Sequence, residues 1–167
     1  YIHCRERYNT QAELLENAHE FRKRKLPVDV IVQDWQWWGK YGWNAMQFDE
    51  SKYPDPGKMV RELHNMNIHL MLSVWSKIDK QSALGKQMES KGFYIPGTDW
   101  IDFFNPDAAA FYWHNFSSKL LKPYKIDAWW QDATEPENDD LLNRRINNGE
   151  TPGEFYRNVY PLFVNKT

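Results

Sequence analysis

Three stretches of the chain end in residues that could do chemistry together. The run 28–34 closes on Asp34, the run 68–75 on Trp75, and the run 126–132 on Asp132. Each is rich in β-branched, apolar or aromatic residues, as a strand covered on both faces should be. If the three strands lie parallel, a carboxylate, an indole and a second carboxylate arrive at one rim. That combination suits a sugar, whose hydroxyls take carboxylate hydrogen bonds while its C–H face stacks on an aromatic ring. Trp35, Trp37, Trp38, Trp129 and Trp130 flank the same strand ends. Any one strand-end Asp, taken singly, more often caps the next helix or turn than it catalyses. Asp132 is the leading catalytic candidate because it closes a Trp-rich strand end.

The elements that must position these residues can be traced in order. Thr10-Gln11-Ala12-Glu13 has the form of a capping box, and Leu14, Ala18 and Phe21 share a helical face until Pro27, which predicts a helix over 11–25. The basic run Arg22-Lys23-Arg24-Lys25 then complements the negative end of that helix. Asp55-Pro56 opens a second helix, with Met59 or Val60, Leu63 and Met66 as its buried stripe. Asn105-Pro106 opens a third, with Ala108, Phe111, Tyr112 and Phe116, which Pro123 is expected to close. Thr151-Pro152-Gly153-Glu154 predicts a last helix through Phe155 and Val159, cut short at Pro161. With residues 1–5 as a short first strand, the order is βαβαβαβα, which argues for a parallel sheet with right-handed crossovers. No glycine-rich phosphate loop follows the first strand, so a (β/α)8 TIM barrel is favoured over an open doubly wound sheet. A complete barrel takes about 250 residues. The 167 residues are expected to be one partial α/β domain, 1–167, supplying the first four strands and their helices, a half-barrel.

Composition excludes several function classes. The formal charge of -2, from 21 Lys plus Arg against 23 Asp plus Glu, gives no reason to expect nucleic acid or an anionic membrane as partner. No apolar run approaches the roughly 20 residues of a membrane span, and no basic-then-apolar leader opens the chain. The single Cys4 forms no internal disulfide and reads as a small apolar rim residue. His3, His19, His64, His69 and His114 show no H-E-x-x-H or other compact spacing, so no metal is expected. The acidic run of Glu135, Glu137, Asp139 and Asp140 reads as a solvated loop rather than a hard-cation site. Trp43 and Trp100, in loops, could extend a sugar platform or shield a core.

An ordered set of segments resembles glycoside hydrolase family 31, most of all its bacterial α-xylosidase and α-glucosidase branch. The set comprises Arg5-Glu6-Arg7-Tyr8, Val30-Ile31-Val32-Gln33-Asp34-Trp35-Gln36-Trp37-Trp38, Phe48-Asp49, Tyr53-Pro54-Asp55-Pro56, Met71-Leu72-Ser73-Val74-Trp75, Phe104-Asn105-Pro106 and Asp127 through Pro136. The resemblance implies a retaining α-glycosidase on a TIM barrel, without metal or organic cofactor. Trp130-Gln131-Asp132-Ala133-Thr134-Glu135 matches the family's W-x-D-x-x-E motif, which makes Asp132 the nucleophile and Glu135 a supporting residue. Asp34 then binds hydroxyls of the sugar beside the scissile bond, and Trp75, with Trp37 and Trp130, lines the same subsite. Many family members carry an Asp where this chain has Gln36, a departure that bears on substrate choice rather than chemistry. In the family the acid/base Asp, with an Arg and a His that clamp the sugar, follows later strands.

The partner expected is therefore an α-linked oligosaccharide or glycan ending in xylose or glucose. The resemblance favours a periplasmic or extracellular location, with the cytoplasm open. The chain by itself is expected to be inactive, and to self-associate through the two sheet edges of a half-barrel. The rival reading is a non-catalytic carbohydrate-binding or interaction module with a Trp platform. A more distant one is another barrel glycosidase such as an α-galactosidase, against which the segment from Val32 to Trp38 argues.

Overall fold

The computed structural model describes residues 1–136 and 141–166. Four parallel strands, β1 (Ile2–His3), β2 (Val30–Gln33), β3 (His69–Trp75) and β4 (Ala128–Asp132), form one sheet in the order β1-β2-β3-β4. The helices α1 (Gln11–Lys23), α2 (Pro56–Asn65) and α4 (Pro106–Phe116) connect them, and α3 (Ala83–Ser90) lies in the long connection from β3 to α4. Sequential parallel strands joined by helices are the repeating unit of a (β/α)8 barrel, and four of its eight strands are present here.

Local chemistry sets the helix starts. The Thr10 hydroxyl accepts from the Glu13 amide at 3.1 Å, and the Glu13 carboxylate reaches back to the Asn9 amide at 2.8 Å. The Asp55 carboxylate caps α2 through the Lys58 amide at 2.7 Å, and the Asn105 side chain caps α4 through the Asp107 amide at 3.0 Å, each with proline in the first turn. At the far end of α1 the basic run does structural work. The Arg22 guanidinium donates to the carbonyls of Met66, Val28 and Asn67, while Lys23 and Arg24 pair with Glu20.

The sheet alternates as a two-residue period demands. Leu70, Leu72 and Val74 of β3, with Ile31 of β2, are fully buried. They join one core with Leu14 and Ala18 of α1, Met59, Val60 and Leu63 of α2, and Ala108, Ala109, Tyr112 and Phe116 of α4. On β4, Trp129 takes this outer side against Trp113 and Phe116 of α4. The other face carries Val32, Met71, Ser73 and Trp75, and, on β4, Trp130 and Asp132. Register fixes the neighbours: Ser73 lies opposite Trp130, and Trp75 opposite Asp132.

Four expectations about elements need correction. Pro123 does not close α4. A π-helical turn over Ser117–Leu121 carries the helix past it into α5 (Lys122–Tyr124), and Lys125 at φ 57° ends it. The widened turn accommodates a residue that cannot donate back to the preceding turn. The helix expected from Thr151 does not form: β5 (Arg145–Ile146) and β6 (Thr151–Pro152) pair as an antiparallel hairpin, with Asn147, Asn148 and Gly149 all at positive φ in its turn. After two 3₁₀ turns, α6 (Tyr160–Lys166) takes Pro161 into its first turn, where a missing amide hydrogen costs nothing. Helix α3 was not expected at all. No helix among the described residues is long and apolar enough to cross a membrane.

Candidate active site

The C-terminal ends of the strands bring Asp34, Trp75 and Asp132 to one rim. Asp34 follows β2 directly, only 8% exposed, and its Oδ1 accepts from the Trp35 amide at 2.7 Å. Burial raises the pKa of its carboxyl, with that amide and the nearby Ser73 hydroxyl opposing the shift. Asp132 ends β4, and its Oδ1 accepts from the Ala133 amide at 2.8 Å. Among the described residues its Oδ2 accepts no hydrogen bond and its carboxylate joins no ion pair, so one oxygen is held and the other has no partner there. Burial also raises the Asp132 pKa, and the negative charges of Asp34 and Glu135 add to the rise while the Ala133 amide opposes it.

A third group reports the same proximity. Burial raises the Cys4 thiol pKa, and the charges of Asp34 and Asp132 raise it further, so the mouth of β1 faces both carboxylates. Cys4 is exposed rather than an apolar rim residue, its Sγ 3.4 Å from the Arg5 carbonyl. Left-handed backbone occurs beside both Asp residues, as it does at several other turns of the chain. Gln36 sits at φ 62° and Ala133 at φ 40°, left-handed values that cost a residue with a side chain and are typical of functional turns.

The aromatic wall differs in part from the sequence reading. Trp75 packs edge-on against Trp43 at 4.9 Å between ring centroids, and Trp43 in turn meets Trp35 at 5.5 Å and Trp38 at 5.3 Å. The Arg7 guanidinium lies over the Trp35 ring at 5.0 Å. Trp130 stands on the inner face of the edge strand, 39% exposed. Trp37, expected to touch substrate, is instead fully buried: its Nε1 donates to the Ser73 carbonyl at 2.8 Å, and its ring packs on Phe48 and Trp38. Between Asp34 and Trp37 the chain turns out of the strand, with Gln36 at φ 62°. Trp100 is likewise core, packed on Tyr160. Glu135 is exposed just past the strand end, close enough for its charge to act on Asp132. Residues 137–140, with the rest of the acidic run, lie outside the described residues.

Histidine spacing concealed one grouping. His64 and His69 converge with Asp127 at the opposite end of the sheet.

A parallel βα sheet with its polar and aromatic side chains gathered at the C-terminal rim is the layout of a TIM barrel. The whole chain, residues 1–167, matches the model of the glycosyl hydrolases family 31 TIM-barrel domain, and the chain belongs to that family. An α-xylosidase from Saccharolobus solfataricus is 40% identical over 173 residues, covering 99% of this chain and 23% of the relative. The crystal structure of a family 31 α-xylosidase from Xanthomonas citri superposes with a TM-score of 0.84 at 32% identity, over 98% of this chain and 20% of that one. An α-xylosidase from a soil metagenome, solved with xylose, gives 0.82 at 31% identity, over 99% and 26%. The chain thus spans about a quarter of the length of these relatives.

Proposed function

We propose that this chain is the nucleophile-bearing half of the catalytic barrel of a retaining α-glycosidase that removes terminal α-linked xylose, with glucose the alternative sugar, from oligosaccharides or glycans. The observation that carries the reading is the Asp132 carboxylate, unpaired among the described residues, at the rim beside Trp75 and within electrostatic reach of Asp34.

In a retaining mechanism one carboxylate attacks the anomeric carbon while a protonated carboxyl serves the leaving oxygen, about 5 to 5.5 Å away. Asp132 is suited to the first task. The Ala133 amide fixes Oδ1, which leaves Oδ2 as the attacking atom and spares it a search over rotamers. Asp34 accepts hydroxyls of the bound sugar, and Trp75, braced by Trp43, offers a flat wall to its C–H face. Trp130 extends that wall on the edge strand. The α-xylosidase names of the relatives favour the smaller sugar. The acid/base group belongs to later strands of the barrel, as the family resemblance implies.

The reading has a direct test. A 5-fluoro-α-xylosyl fluoride incubated with the full-length polypeptide should trap a glycosyl ester, and peptide mass spectrometry should find it on Asp132. A label on any other carboxylate removes Asp132 from the role. The 167-residue chain by itself should turn over no aryl α-xyloside or α-glucoside, and light scattering should find it self-associated through the open edges of β1 and β4. Normal turnover by a clean monomer would refute the division of the site between two halves of a barrel. The rival, a binding module, is distinguished by the trap, since a protein that only binds sugar forms no ester.

A further inference from the structure

The end of the sheet opposite the catalytic rim carries a second constellation. His64 lies in the last turn of α2, His69 is the first residue of β3, and Asp127 immediately precedes β4. His64 Nε2 is 3.1 and 2.9 Å from the two oxygens of Asp127, and His69 Nδ1 is 3.0 Å from Oδ1. One donor atom from each of the three residues falls within 4.8 Å of the others. The carboxylate is braced from behind, because Oδ2 also accepts from the Leu70 amide at 2.9 Å. The side chains of His64 and His69 are 36% and 62% exposed, so the cluster opens to solvent on one side.

We propose that His64, His69 and Asp127 form a binding site for a divalent transition metal of the zinc class. Two imidazoles and one carboxylate are the donor set such ions take, whereas calcium and magnesium prefer oxygen throughout. Zinc bonds of about 2.0 to 2.2 Å require donor atoms a little over 3 Å apart; the two imidazole–carboxylate separations need to open by only a few tenths of an ångström, and the two ring nitrogens, within 4.8 Å of each other, must settle at the same spacing. Each imidazole now meets Asp127 through a ring nitrogen that must carry a proton for the hydrogen bond. A cation replaces both protons and draws on the same three atoms. The open side leaves a fourth position for water. The Leu70 amide supplies the outer hydrogen bond that commonly orients a ligating carboxylate.

The three residues come from three elements, so the ion would tie α2 to the starts of β3 and β4. It lies across the sheet from Asp34 and Asp132, and its role is to hold the fold rather than to take part in glycoside chemistry. Without a metal, the same residues are a hydrogen-bonded staple and nothing more.

The experiment separates these outcomes. Purified protein stripped with chelator is titrated with Zn²⁺ by calorimetry, and with Co²⁺ by visible absorption. One equivalent should bind saturably, Co²⁺ should give the intense bands of a four-coordinate site, and Zn²⁺ should raise the thermal midpoint. His69→Ala, at an exposed side chain, and His64→Gln should each weaken binding by about tenfold or more, while His114→Ala on α4 should leave it unchanged. No saturable binding, or equal binding in His69→Ala and His64→Gln, overturns the proposal and leaves the staple.

Discussion

Asp132→Asn, in a polypeptide carrying the complete barrel, is expected to lower turnover on aryl α-xylosides by on the order of 10⁴-fold, as loss of a catalytic carboxylate does in a group that works as a unit. The amide keeps the shape and can still accept from the Ala133 amide, so sugar binding should change only a few-fold. What disappears is the charge that, in the proposed mechanism, attacks the anomeric carbon. The same substitution should raise thermal stability at neutral pH. Burial, with Asp34 and Glu135 nearby, lifts the folded-state pKa of Asp132 above its unfolded value. A group of that kind binds its proton more readily folded than unfolded, so its ionisation erodes stability as pH rises from the unfolded to the folded pKa. Removing the charge abolishes that cost. The gain in melting temperature should therefore be present at pH 7 and should vanish below the ordinary carboxylate range. A variant that keeps turnover, or loses stability equally at every pH, would mean that Asp132 is structural.

Trp37→Ala should cost the fold about 3 to 5 kcal/mol, read as a shift in the midpoint of denaturant unfolding. The ring is fully buried against Phe48 at 4.9 Å and Trp38 at 5.3 Å. Truncation opens a cavity that its neighbours can only partly refill, and it strips the Ser73 carbonyl of the indole N–H at 2.8 Å. An unsatisfied buried carbonyl adds to the loss. Trp37→Phe keeps most of the volume and should cost clearly less. Because Ser73 sits beside Asp34, any change in KM should follow the loss of stability. An unchanged unfolding midpoint with a raised KM would instead return Trp37 to the list of sugar contacts.

Trp37 also shows where sequence reading stops. The strands were legible from their β-branched runs, and the helix starts from Thr10, Asp55 and Asn105, because these signals act over a few residues. The path of the chain beyond β2 was not legible, since it turns at Gln36 with φ 62°, and nothing about a glutamine announces that. Helix α3 is only eight residues long, and its stripe is reduced to Leu84 and Met88. It carries Gly85 in its first turn because any side chain there would strike the Asp79 carbonyl. The β5–β6 hairpin did have a signal, the Asn147-Asn148-Gly149 turn, but the competing capping pattern at Thr151 pointed to a helix. His64, His69 and Asp127 span 63 residues, and only the parallel stacking of β3 and β4 makes them neighbours.

The pairing of Trp75 with Asp132 also bears on how this protein could go wrong. Side chains on adjacent parallel strands share a face only when the ladder is aligned, and a slip of one residue inverts every one of them. Were β4 to dock one position out, Gln131 would occupy the place of the Asp132 carboxylate, and Asp132 would be driven among the aromatic rings of α4. Such a molecule could be compact and inert at once. Correct folding of this sheet would then be decided at a single seam, by whether the indoles at 129 and 130 settle on their proper sides.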